Sequence, residues 1–235
     1  MIDSIKSFLK TLHEPNAIAF PNLNNPSYIR AYTFANYSFL LSAFVHASFI
    51  IIFVFLSVHI LAIFNILSVI LWISAFIILR KGYPWQGYAI GSVELIAHAA
   101  LCVVIIGWDA GFQYYVLFQP IIIFLSPWRL LAKVFISATF TISYIAMAQY
   151  GYMSEPFVEL SSIYLSALHY MNIINAIILP VVGTYAYYIK TIKLEKNLKK
   201  EHEKTNKLLS HLNTELSEAA EYVKTILPKP ISNDS

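Results

Sequence analysis

Glu94, His98 and Cys102 lie four residues apart in an otherwise apolar run, and a helix through them stacks the three side chains along one side, one turn above another. A carboxylate, an imidazole and a thiol in that register can bind a transition metal or hold a polar ligand. The run then breaks at Gly107-Trp108-Asp109-Ala110-Gly111-Phe112-Gln113-Tyr114-Tyr115. Ionisable groups at membrane depth are costly, so they normally face a bundle interior and carry function. The structural alternative is a buried Glu94–His98 hydrogen bond that only fixes helix packing.

Other polar residues recur at related depths in separate apolar segments. His46 lies midway through the first, Asn65 sits in the second, and His169 and Asn172 occupy the outer part of the last; Asp109 and His59 fall at the expected mouth of the same cavity. Several imidazoles with one carboxylate make a ligand set for zinc, copper or iron. The expected metal donors are His46, Glu94, His98 and His169, with Asp109, His59 and Cys102 as further donors. Asn65, Trp108, Asp109, Phe112, Tyr115 and Asn172 are the expected contacts for a small ligand. Glu94 could instead orient an imidazole from behind. No tight zinc spacing and no cysteine pair is present. A metal, a small organic ligand and a purely structural network therefore all remain open.

The elements that must position these residues follow from composition. Of the 235 residues, 58% are hydrophobic and 12% charged, which leaves a soluble domain without a surface. The expected fold is all-α: a polytopic bundle of six transmembrane helices over residues 31–189, at roughly 35–57, 60–80, 86–106, 112–127, 129–150 and 162–189, each near the ~20 residues a bilayer needs. The fourth is short. The single Cys102 excludes an intrachain disulfide.

Orientation comes from Lys and Arg. Arg80 with Lys81, Arg129 with Lys133, and Lys6, Lys10 and Arg30 fall on the same side as the Lys-rich stretch after Tyr188, while the other three connections hold no Lys or Arg. Both termini are expected to be cytoplasmic. Trp85, Trp108 and Trp128 sit at segment ends, as interfacial aromatics do. Residues 1–30 read as a cytoplasmic amphipathic segment, from the helical spacing of Ile2, Ile5, Phe8, Leu9 and Leu12, followed by prolines; it is expected to stay on the mature protein.

From Lys190 the chain becomes charged. Leu198, His202, Thr205, Leu209, Leu212, Leu216, Ala219, Val223 and Ile226 recur in alternating steps of four and three, a heptad seam that predicts a parallel coiled-coil stalk over 190–227 and a homodimer through 198–226. A solitary amphipathic helix on the membrane surface is the alternative. Residues 228–235 read as the start of a linker to an effector.

The run Phe64-Asn65-x-x-Ser68, then Glu94-x-x-x-His98, then Gly107-Trp108-Asp109-x-Gly111-Phe112-x-Tyr114-Tyr115 resembles the six-helix membrane-associated sensor domains at the N-termini of bacterial class III adenylate cyclases and related signalling proteins. The resemblance covers most of 33–190. The tail from Glu218 to Ile231 is similar to linkers that lead into cyclase catalytic domains, and also to the lead-in of sporulation-type protein phosphatases. It implies a bacterial inner-membrane sensor acting on a cytoplasmic effector, an adenylate cyclase making cAMP first and a phosphatase next.

No catalytic carboxylate pair or glycine-rich phosphate loop occurs after Lys190, so this chain is not expected to be an enzyme itself. A nucleic-acid partner is not expected. The competing reading is an intramembrane zinc hydrolase in which His46, His98 and His169 hold the metal and Glu94 or Asp109 activates water. Transport is disfavoured, because no internal repeat or pair of broken helices is evident.

Overall fold

The computed structural model describes residues 26–124, 126 and 128–226, and every element among them is helical. In chain order these are α1 (Pro26–Phe55), α2 (His59–Arg80), α3 (Pro84–Ile106), a 3-10 turn (Trp108–Ala110), α4 (Tyr114–Phe124), α5 (Leu130–Met153) and α6 (Ser162–Ile226). The amphipathic helix expected near the N-terminus and the linker expected at 228–235 lie outside the described residues, apart from 26–30, which begin α1.

Five helices, α1, α2, α3, α5 and α6, are long and apolar enough to cross a membrane. The fourth expected span is shorter than its apolar run: α4 has 11 residues and contains Pro120. At 1.5 Å per residue it reaches about 16 Å, roughly half of a ~30 Å hydrocarbon layer. Outward-facing side chains along the long helices, such as Phe44, Ile51, Ile63, Val93, Phe135 and Ile145, are apolar and exposed, a surface compatible with lipid.

Two turns of one design hold α1, α2 and α3 side by side. After α1, Val58 N–H reaches back to Phe53 O at 2.9 Å and Ser57 N–H to Val54 O at 3.1 Å; after α2, Tyr83 N–H meets Ile78 O at 3.2 Å and Gly82 N–H meets Leu79 O at 3.1 Å. Both are Schellman closures, which satisfy the orphan carbonyls of a helix end and need a left-handed residue at the second turn position. Gly82 fills it at φ +93° without strain, whereas Ser57 fills it at φ +60° with a side chain.

Tight turns set neighbouring helices antiparallel, and small residues then bring α2 and α3 together. The Trp72 ring lies against the backbone of Gly91, and a Cβ there would come within 2.7 Å of it; a Cβ on Gly87 would meet Ala75 O at 3.0 Å. Gly87 and Gly91 are spaced as in close-packed membrane helices. Past α3, Phe157 and Val158 donate backbone N–H groups to Val104 O and Ile105 O, so the α5–α6 connection caps the end of α3.

The chain divides into two compact units, Met1–Lys190 and Thr191–Ser235. In the first, one core cluster around Phe53, Leu61, Ile106 and Phe112 lies towards the 3-10 turn, and another around Phe39, Trp72, Leu79 and Tyr88 lies towards the opposite end. The described part of the second unit is helix to Ile226, with Leu198, Leu209, Leu212, Leu216, Val223 and Ile226 all at least 51% exposed.

Candidate metal centre

Between those two clusters two helices bring ionisable groups to one point. His46 comes from α1, and Glu94 and His98 come from α3 with their four-residue spacing intact; they are 8%, 1% and 4% exposed, too little for water to solvate them. One donor atom from each lies within 4.8 Å of the others. His46 Nε2 is 3.6 Å from Glu94 Oε1, and the two imidazoles meet edge to face at 4.6 Å between ring centres.

A residue on α2 fixes the tautomer of His46. Asn65 Nδ2 donates to Leu61 O at 2.7 Å, which turns its Oδ1 towards His46 Nδ1 at 2.9 Å. That oxygen can only accept, so Nδ1 is the donor, and in a neutral ring Nε2 then presents its lone pair to Glu94. An imidazole held from behind by a carbonyl-type acceptor is the usual arrangement of a metal-binding histidine.

Glu94 is the least satisfied of the group. Neither carboxylate oxygen closes a hydrogen bond of good geometry among the described residues; Ser68 Oγ and Trp72 Nε1 on α2 face it as donors close enough to act on its charge, without closing such a bond either. A lone pair on His46 Nε2 opposite a carboxylate oxygen leaves two acceptors confronting each other, which a positive charge between them resolves, whether a shared proton or a metal ion. At about 2.1 Å per bond a tetrahedral metal separates its ligand atoms by about 3.4 Å. The 3.6 Å pair already fits, and a pair at the 4.8 Å limit needs to close by about 1.4 Å.

Apolar rings complete the walls. Phe112 stands edge-on to His98 at 5.5 Å, Phe64 stacks on it at 5.9 Å, and Phe49 packs at 6.2 Å. Cys102 Sγ lies 3.8 Å from His98 Nε2 and is buried. Beside the two imidazoles opens a cavity of about 50 Å³, lined also by Ser42, Val45, Trp72, Leu95, Ala99, Tyr115 and Leu179. It is large enough for water or a ligand of a few atoms. A neighbouring cavity of about 80 Å³ shares Ser42, Trp72, Leu95, Tyr115 and Leu179 with it.

The remaining expected residues fall elsewhere. His169, on α6 and half-buried, donates Nδ1–H to the Asp109 carbonyl at 2.9 Å and is not in the three-residue group. Asp109 and His59 are exposed, at the 3-10 turn and the start of α2. Trp108 packs edge-on to Tyr144 at 5.6 Å, against α5. Asn172 is buried and bridges, donating Nδ2–H to Ala110 O at 2.8 Å and accepting from the Tyr115 hydroxyl at 3.0 Å. Two residues not singled out by chemistry stand beside the carboxylate, Ser68 and Trp72. Their signal was present: Asn65, Ser68 and Trp72 fall on the single buried face of α2.

No family model, curated protein or solved structure matches the chain.

Proposed function

We propose that residues 31–189 form the six-span sensor domain of a bacterial inner-membrane receptor, with both termini cytoplasmic, which binds a transition metal through His46, Glu94 and His98. The observation that carries this reading is the convergence of two imidazoles and one buried carboxylate from two helices, with His46 oriented by Asn65. Zinc, copper and iron all accept such a set. In the six-span scheme α4 and the residues after it make the fourth passage, and the Lys and Arg bias sets the orientation.

The receptor acts on an attached cytoplasmic effector, an adenylate cyclase in the first instance and a protein phosphatase in the second. The exposed heptad seam from Leu198 to Ile226 supports a dimeric stalk, because a parallel partner helix in the same register would bury the whole row. A ligand shifts the output only through unequal affinity for two states of the bundle.

Elemental analysis of protein purified without chelator tests the metal. Roughly one equivalent per chain is expected, retained on dialysis and lost in His98→Ala and Glu94→Gln while both variants stay folded. A metal-free wild type that takes up no zinc, copper or iron on titration removes the metal reading. Turnover of a hydrolysable substrate by the metal-loaded chain would favour an intramembrane hydrolase, whose three-ligand zinc also needs an open position beside a cavity.

A further inference from the structure

The metal reading leaves a charge to be accounted for. A divalent ion held by two neutral imidazoles and the Glu94 carboxylate carries a net charge of +1, in a pocket whose other walls are the neutral side chains of Ser42 and Tyr115 and apolar groups such as Val45, Leu95 and Leu179. A buried net charge is costly unless it is paired. None of the residues lining the cavity is acidic. Three protein donors also leave at least one coordination position unfilled, and sites of this kind keep it for an exogenous molecule.

The open side has a definite place. The 50 Å³ cavity touches both imidazoles and the Ser42 and Tyr115 side chains, whereas Glu94 is not in its lining. An incoming molecule therefore reaches the metal past the two imidazoles and not past the carboxylate. Space there suits a few atoms and no more. We infer that the open position takes a small monoanion, such as hydroxide, azide or a one-carbon carboxylate, which binds the metal from the cavity between His46, His98 and Tyr115 and neutralises the site.

This inference rests on the metal reading, and the experiment separates the two. Cobalt(II) is loaded into the full-length protein in detergent, and its visible bands report uptake and coordination number; sodium azide is then titrated. The expected result is cobalt uptake followed by a saturable, one-to-one change in the bands, at azide concentrations where equal sodium chloride does nothing. Ala99→Leu, which fills the cavity and leaves all three donor residues in place, should retain cobalt and lose the azide response, and Leu179→Phe does the same from α6 should the first variant fail to fold. Cobalt uptake with bands that azide leaves unchanged overturns the monoanion proposal and keeps the metal. An undiminished azide response in both filled variants overturns the placement. Failure to take up cobalt overturns both readings.

Discussion

His46 Nδ1 and Asn65 Oδ1 stand 2.9 Å apart, and this bond decides which imidazole nitrogen is left for chemistry. Asn65 is itself pinned to Leu61 O, so neither ring nor amide can flip without giving up a buried bond. Asn65→Leu should keep the three donor residues yet weaken metal binding by about 10–100-fold. Competition with a calibrated chelator measures it. Unchanged affinity would mean that Asn65 orients nothing.

Trp72 and Gly91 make the second test. Because a Cβ on Gly91 would fall 2.7 Å from the Trp72 ring, Gly91→Ala must move the ring or part the helices, at a cost of about 1–3 kcal/mol. Thermal unfolding in detergent should show a lower midpoint. Trp72 also faces Glu94, so metal content should fall together with stability; a variant as stable as wild type would show that α2 and α3 approach less closely.

What the sequence disclosed and what it hid divide along one physical line. Ionisable residues inside apolar runs announce themselves, which is why His46, Glu94 and His98 were readable one by one. Depth along a helix is also readable, at a fixed rise per residue. The direction a side chain faces around the helix is not, and His169 illustrates the difference: it was expected among the donors from its height, yet its ring turns to the Asp109 carbonyl. The close approach of α2 and α3 left a trace in the Gly87-x-x-x-Gly91 spacing, although its partner Trp72 could be found only by pairing the helices. Hydropathy likewise overran α4, since Phe112 and Gln113 belong to the preceding turn.

Tyr115 and Asn172 provide a third prediction. Tyr115 lines the cavity beside the imidazoles and donates to Asn172 on α6, so events at the site have a direct bond to that helix. Tyr115→Phe should cost about 1 kcal/mol of stability. In a fusion to an active cyclase it should reduce the response of cAMP output to metal while leaving metal affinity near wild type. A full response would place the coupling elsewhere.

Topology is tested by single cysteines in a Cys102→Ser background. Glu155→Cys should react with an impermeant reagent in intact cells, whereas Gly82→Cys and Lys10→Cys should react only after permeabilisation. Labelling at 82 but not at 155 would invert the scheme.

For the stalk, Leu212→Cys or Leu216→Cys should crosslink between chains in membranes. Leu209→Pro, which costs ~3 kcal/mol or more inside a helix, should abolish the crosslink and leave the first unit folded. Absence of crosslinking at both positions would leave a solitary helix.

The short α4 has a consequence for the lipid itself. Its last turn is closed from outside the helix, with Ser126 donating to Ile123 O at 2.6 Å and Lys133 Nζ to Phe124 O at 2.9 Å, so an ammonium group is tied to the end of an 11-residue apolar rod. In a bilayer, that charge and the headgroups it attracts must come inward to meet the rod, or the rod must be drawn outward. Either adjustment costs a fraction of a kcal/mol per ångström of mismatch. Acyl-chain length thus becomes a variable the protein experiences on one flank only. Short-chain lipids should relax the α4 side while leaving the longer helices to tilt.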